Sequence, residues 1–347
     1  MGKNNRNHLL VIRLSAMGDV AMTVPVLHAL LQQNPQLEIT VLSKGFFKPM
    51  FASLPKLTFY EADVKGKHKG ILGLFKLYKE LKALKIDAVA DVHNVLRSTI
   101  LKFFFTLGGI PVSQIDKGRA EKKALTSGKE FKPLKSTQQR YVGVFKALGF
   151  DITLSSASSL PKPKLNAAVS QLVESSSNLR IGIAPFAAHE GKMYPLDLME
   201  KVVDGLQQNN DHHIYLFGGG DKEGKILAQW QEQFVGVTSV VGGLSFEEEL
   251  SLIAHLDVML SMDSGNGHLA AMYGVPVVSL WGVTHPYTGF VPFNQPIENS
   301  LLADRKQYPL IPTSVYGNKV PSGYERVMET IDPKAVIEKV IEVSRKS

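Results

Sequence analysis

The sequence has no cysteine in 347 residues, which excludes disulfides, thiolate-bound zinc, iron–sulfur clusters and thiol nucleophiles. Tryptophan is almost as scarce, with 2 residues. No apolar run approaches the ~18 residues of a membrane-spanning helix. Met1 to His8 are polar and lead directly into Leu9-Leu10-Val11-Ile12, without the longer apolar stretch and small-residue cleavage site of a secretory signal. A cytoplasmic protein is expected. Catalytic signatures are missing too. The 10 histidines form neither an HExxH pair nor a tight cluster with Asp, so no metal site is expected. There is no GxSxG elbow for a serine hydrolase and no GxxxxGK[ST] phosphate loop.

Acidic residues are sparse in the first half. Up to residue 165 there are 26 Lys and Arg against 11 Asp and Glu, a balance of +15. Beyond it, 13 stand against 21, a balance of −8, and the whole chain carries +7. A basic half can face nucleic acid, an anionic membrane surface or a polyphosphorylated ligand, or can be a solubilising lysine-rich surface.

What the chain does contain is an alternation of short β-branched runs and helical patterns, the mark of parallel sheets flanked by helices. In the first half, strands are predicted at residues 9–14, 38–42, 57–60 and 88–92, with a helix from about Thr23 to Gln33 that has Pro25 in its first turn. Leu74, Leu77, Leu81 and Leu84 recur at spacings of three and four, an amphipathic helix whose other positions include Lys76, Lys79 and Lys82. The Ser- and Pro-rich stretch 155–164 reads as a linker. Beyond it, strands are predicted at 179–184, 213–217, 258–262 and 275–281. Ser245 with Glu248 forms a capping box, and Asp332-Pro333 opens a terminal helix. Two Rossmann-like domains in tandem are expected, 1–160 and 166–325, with 326–347 a terminal helix.

Three segments carry candidate chemistry. Strand 258–262 runs into Asp263-Ser264-Gly265-Asn266-Gly267-His268, where small residues expose backbone amides and a phosphate can sit against a helix N-terminus. The first strand runs into Ser15-Ala16-Met17-Gly18-Asp19, which places a carboxylate at the mouth of a sheet, where it can act as a general base. This loop lacks the GxGxxG fingerprint, so a dinucleotide cofactor is unsupported and no cofactor is expected. The segment 181–195 holds Lys192, able to offset charge on a departing pyrophosphate. Each also has a structural reading, as a capping Asp, an ordinary turn or a solvated lysine. Glu223, after Gly218-Gly219-Gly220, can accept hydrogen bonds from ribose hydroxyls. Phe103-Phe104-Phe105 could touch a membrane, but three adjacent aromatics cannot share one helix face, and partial burial is expected.

In order along the chain, Ser15-Ala16-Met17-Gly18-Asp19-Val20, Gly191-Lys192-Met193-Tyr194-Pro195 and Met262-Asp263-Ser264-Gly265-Asn266-Gly267-His268-Leu269-Ala270-Ala271 resemble glycosyltransferase family 9, the heptosyltransferases of lipopolysaccharide core synthesis. The resemblance implies a GT-B fold, two facing Rossmann-like domains with a deep cleft, with the terminal helix crossing back to the first domain. It implies inverting, metal-independent transfer from a nucleotide-sugar donor, ADP-heptose above all, to a phosphorylated, lipid-linked acceptor. Asp19 would be the base and Lys192 would stabilise the leaving nucleotide. Asp263, Ser264, Gly265 and His268 would line the donor sugar and pyrophosphate, and Glu223 would hold the ribose. Ala187 and Ala188 stand where relatives often have Thr or Ser, leaving only backbone amides for phosphate and making His189 and Glu190 candidates for altered donor contacts. Gly18, Asp91, His93, Asn94 and Arg97 would form the acceptor side.

The implied partners are the donor, the glycolipid and peripherally an anionic membrane face, not nucleic acid. Two other classes compete with the transferase: a GT-B nucleotide-sugar epimerase or hydrolase, which would consume donor without acceptor, and a non-enzymatic basic module binding lipid or nucleic acid.

Overall fold

A computed structural model describes residues 6–174, 179–208 and 212–346 of the chain. In chain order the elements begin β1 (His8–Ile12), α1 (Met17–Gln33), β2 (Glu38–Ser43), β3 (Leu57–Glu61), α2 (Gly70–Lys82), β4 (Ala88–Asp91), α3 (Leu96–Leu107) and β5 (Val112–Gln114). Then come α4 (Arg119–Thr126), α5 (Thr137–Ala147), α6 (Ala167–Glu174), β6 (Leu179–Ala184), α7 (Leu196–Gln207), β7 (His212–Leu216), α8 (Gly220–Gln233) and β8 (Val237–Ser239). The last are α9 (Phe246–Ala254), β9 (Val258–Met262), α10 (Gly265–Met272), β10 (Val277–Trp281), β11 (Ser300–Leu302) and α11 (Pro333–Ser344). Packing divides them into two units: residues 1–117 with 137–160, and 118–136 with 161–347.

The first unit is built on a parallel sheet of order β3-β2-β1-β4-β5. Leu9, Leu10, Val11 and Ile12 of β1 are all buried, as a strand must be when helices cover both faces of its sheet. Leu74, Leu77, Tyr78 and Leu81 of α2 and Leu101 and Phe105 of α3 fill one side of this core. Helix α1 starts at Met17, six residues ahead of the sequence expectation, so Gly18 and Asp19 lie in its first turn and Pro25 in its interior. An interior proline costs about 3 kcal/mol. Burial of Val20, Ala21, Val24 and Leu27 around it outweighs that cost, because tertiary packing dominates helix stability.

The second unit is a parallel sheet of order β11-β10-β9-β6-β7-β8. Both tryptophans, Trp230 and Trp281, are buried here. The capping box holds: the Ser245 hydroxyl accepts from the Glu248 amide, and the Glu248 carboxylate accepts from the Ser245 amide at 2.8 Å.

The packing divides the chain differently from the expected bounds at three places. Helix α11 groups with the second unit: it packs on α7, β9 and β10, and its Val336, Val340 and Val343 belong to that unit's core. Asp332 caps it by accepting from the Lys334 amide at 3.0 Å, as the sequence predicts. Residues 118–136 also leave the first unit for the second. Leu134 donates its amide to the Tyr287 carbonyl at 3.0 Å, and Phe131 lies beneath the Arg305 guanidinium, 3.6 Å from the ring centroid. The expected linker is shorter than 155–164. Ser158 and Leu160 are buried in the first unit, and the His28 ring lies 3.0 Å from the Ser158 carbonyl.

Candidate active site

In a doubly wound sheet, the strands whose connections run to opposite sides leave a crevice at their carboxyl ends. In the first unit these strands are β1 and β4. Arg13 follows β1 and is only 6% exposed. Its Nη1 donates to the Val92 carbonyl beyond β4 at 2.7 Å, and its Nη2 lies 2.5 Å from Asp19 Oδ2. One guanidinium therefore ties the two loops together and holds the Asp19 carboxylate between them. Tyr141 of α5 adds a hydrogen bond from its hydroxyl to the Asp19 carbonyl, 3.2 Å, and the Arg13 guanidinium lies 5.9 Å from the Tyr141 ring centroid.

The residues assigned to the acceptor separate into distinct roles. Asp91 is fully buried, and its Oδ1 accepts from the amides of His93 and Asn94 at 3.0 and 2.8 Å. It shapes the loop that follows β4. Asn94 adopts φ +51° and bonds through its side chain to the Ile115 carbonyl. His93 Nδ1 accepts from the Leu14 amide at 3.3 Å, so its proton sits on Nε2. Burial first, and then the charge of Arg13, push its pKa down to about 3. It is a neutral imidazole beside the Arg13–Asp19 pair. Arg97 is exposed at the start of α3.

In the second unit the diverging strands are β6 and β9. Lys192 arrives from the loop after β6, at the end of the short turn Glu190–Lys192. Asp263 is the first residue after β9. They meet at 3.0 Å, Lys192 Nζ to Asp263 Oδ2, with both side chains largely buried. The same Oδ2 accepts from the Thr284 hydroxyl at 2.9 Å. The lysine's stem lies over Gly317, whose φ is +83° and where a Cβ would come within 2.2 Å of Lys192 Cδ. Only glycine leaves that path open.

The Asp263 carboxylate holds the lysine in place, and the start of α10 lies directly after it. Helix α10 begins at Gly265, with Ser264 as its N-cap, and no acidic residue stands in its first turn. Gly265 and Ser264 are half-buried and His268 is buried. Ala187 is partly buried against the core, while Ala188, His189 and Glu190 are exposed. Glu223 Oε2 accepts from the Gly219 amide at 2.6 Å, so it braces its own loop with one oxygen. Among the described residues no group of three or more His, Asp or Glu side chains comes together.

Four residues of these sites were not singled out in the sequence. Arg13 had a readable signal, a charge at the carboxyl end of an otherwise apolar central strand. Thr284 follows β10 in the same way. Tyr141 and Gly317 carry no local signal, because their roles come from contacts made far along the chain.

The model of the family described as "Glycosyltransferase family 9 (heptosyltransferase)" matches residues 74–317, and so spans parts of both units. The lipopolysaccharide core heptosyltransferase OpsX of Haemophilus influenzae is 26% identical over 296 residues, 80% of each chain. A family 9 glycosyltransferase structure from Veillonella parvula aligns with TM-score 0.75 and 19% identity over 98% of each chain. The Escherichia coli heptosyltransferase WaaC with ADP aligns with TM-score 0.66 and 20% identity, again over 98% of each chain. These two structures share its fold, the GT-B arrangement of two Rossmann-like units. The chain belongs to glycosyltransferase family 9, the heptosyltransferase family, and is a glycosyltransferase.

Proposed function

We propose that the chain transfers heptose from ADP-heptose to a lipopolysaccharide-core acceptor, with inversion and without a metal. The observation that carries this reading is that each unit holds an ion pair of opposite polarity at its own switch point. One presents a carboxylate gripped by a guanidinium, and the other a lysine gripped by a carboxylate. Inverting transfer needs both. The Asp19 carboxylate takes the proton of the acceptor hydroxyl as that oxygen bonds to the anomeric carbon. The bond from that carbon to the β-phosphate oxygen breaks on the opposite face, and its electron pair leaves with ADP. Lys192 and the amides at the start of α10 receive the developing negative charge.

Arg13 engages Asp19 Oδ2 and leaves Oδ1 for the hydroxyl. Asp263 and Thr284 fix the height of Lys192. The donor is taken to be ADP-heptose because relatives carry heptosyltransferase names and one structural neighbour holds ADP. The acceptor is taken to be a phosphorylated glycolipid because OpsX is named for the lipopolysaccharide core and the first unit is basic.

The test is kinetic. Asp19→Asn should lower transfer at least a hundredfold while ADP-heptose binding, read by calorimetry, stays within about threefold, since a general base contributes roughly 10²–10⁴. Lys192→Ala should weaken ADP binding and turnover together. Near-normal turnover in Asp19→Asn would remove the assigned base. Donor consumption at the full rate without acceptor would replace transfer by hydrolysis or epimerisation.

A further inference from the structure

Helices α2 and α3 lie against each other in the first unit, and their outer faces are not polar. On α2, Ile71 is 67% and Leu72 85% exposed, and Phe75, one turn on, is 39% exposed. On α3, Phe103 is 58% and Leu107 71% exposed. The two sets are continuous: Phe75 and Phe104 meet edge to face with centroids 5.2 Å apart, and Phe103 lies 5.9 Å beyond Phe104. A single exposed leucine needs no explanation. A joined patch of five large apolar side chains on adjacent helices marks an interaction surface.

Charge indicates what covers it. Helices α2 and α3 together carry five Lys or Arg and one acidic residue, Glu80. Glu80 is already occupied by the Tyr60 hydroxyl at 2.5 Å and the His68 ring at 3.0 Å. Lys79 lies 4.8 Å from the Phe75 ring centroid and Lys82 5.8 Å from that of Tyr78. The ammonium groups of these lysines therefore sit over the aromatic rings of α2, directly beside the apolar side chains. A protein partner buried at such a patch would leave several unpaired cations to desolvate. A bilayer with anionic headgroups takes both features at once, with apolar side chains in the acyl boundary and lysines reaching the phosphates.

We infer that the α2–α3 face is the surface by which this protein rests on an anionic lipid bilayer. Both helices follow strands of a parallel sheet, so their N-terminal ends, with Ile71 and Leu72 on one and Arg97 on the other, lie at the sheet's carboxyl edge. That is also the edge at which Asp19 stands. Seating this face on a bilayer brings the headgroup layer to the acceptor side of the first unit. The lipid contact stands on exposure and charge alone; the presentation of a lipid-linked acceptor rests on the proposed function.

The test is co-sedimentation of the full chain with vesicles of phosphatidylcholine, with and without 30% phosphatidylglycerol. Binding should require the anionic lipid and weaken at least tenfold between 0.1 and 0.5 M salt, as screening demands. Leu72→Glu with Phe103→Glu, and separately Lys79→Glu with Lys82→Glu, should each reduce binding tenfold or more. Unchanged melting curves would show that these variants are folded. Turnover with a delipidated, soluble acceptor should stay at the wild-type level in both pairs, while turnover on vesicle-embedded acceptor falls. Absence of vesicle binding, or binding untouched by either pair, overturns the inference. So does a wild-type dimer in sedimentation equilibrium that Leu72→Glu with Phe103→Glu converts to monomer. Failure of the soluble assay in the wild-type chain would count against the proposed reaction and leave the vesicle result standing.

Discussion

His93 shows how much a single side chain depends on what lies around it. In sequence it is one of 10 histidines. In the fold it is a buried acceptor for the Leu14 amide, held neutral down to about pH 3. The sign of its pH dependence follows. Above its ordinary pKa of 6.5 both folded and unfolded chains hold it neutral. As pH falls from 6.5 towards 3, the unfolded chain gains the proton and the folded chain does not. Stability is therefore lost across that window, by at most about 1.4 kcal/mol per pH unit. His93→Asn keeps an acceptor and removes the titration, so its urea midpoint by far-UV circular dichroism should fall less than wild type's between pH 6.5 and 4.5. Equal falls would show that His93 does not titrate in the unfolded chain alone. Asp19, Lys192 and Asp263 were legible as candidates because each follows closely on an apolar strand: Asp263 directly after β9, Lys192 in the turn after β6, and Asp19 in the first turn of α1. Arg13, Thr284 and Tyr141 were not assigned roles, because each acts through a contact with a residue elsewhere in the chain.

At the scale of elements, the long periodic segments were readable and the short or context-dependent ones were not. Strands β6 and β9 lie where the sequence predicts them. Strands β5, β8 and β11 are only three residues each, too short for alternation to register. The three consecutive phenylalanines diverge as helical geometry requires. Phe105 is buried, Phe104 packs between Tyr78 and Phe75, and Phe103 faces out. The expectation of partial burial was right for two of the three, but it underrated the surface formed with α2. Helix α11 starts where the sequence predicts and contributes to the second unit's core, a partner that an amphipathic stripe does not name. Val340 is fully buried in the second core, so Val340→Ala should cost about 2 kcal/mol. Both tryptophans lie in that unit, so their fluorescence should report the loss as a lower denaturation midpoint. An unchanged fluorescence transition would detach α11 from this core.

For the molecule as a whole, the units redistribute the charge. Residues 118–136 carry six Lys or Arg and two Glu into the second unit. The first unit then has 18 basic and 9 acidic residues, +9, and the second 21 and 23, −2. The sharp contrast of +15 and −8 belonged to a cut in sequence rather than to the folded bodies. On the proposed reaction, a nearly neutral second unit needs less local compensation to accept an anionic nucleotide, which Lys192 and α10 would supply. Tryptophan placement gives a whole-molecule test. Saturating ADP, at about 100 times its dissociation constant, should stabilise its unit by about 2.7 kcal/mol. The thermal transition seen by tryptophan fluorescence should rise, and the far-UV signal, which includes the first unit, should separate into a shifted and an unshifted part. A uniform shift of both signals would mean that the two units melt as one.

The excursion of residues 118–136 also bears on synthesis. Phe131 packs against His285 and Tyr287 and beneath Arg305, and Lys122 against Phe290. These partners are translated more than 150 residues later, roughly ten to thirty seconds at usual rates of about 5–20 residues per second. Meanwhile residues 137–160 can emerge and close the first unit, leaving α4 and Phe131 as a loop projecting from a finished body. The second unit is therefore never a simple successor to the first on the ribosome. It must reach back for a piece of chain made before its own first strand, and the last strands of its sheet set the moment at which that piece is captured.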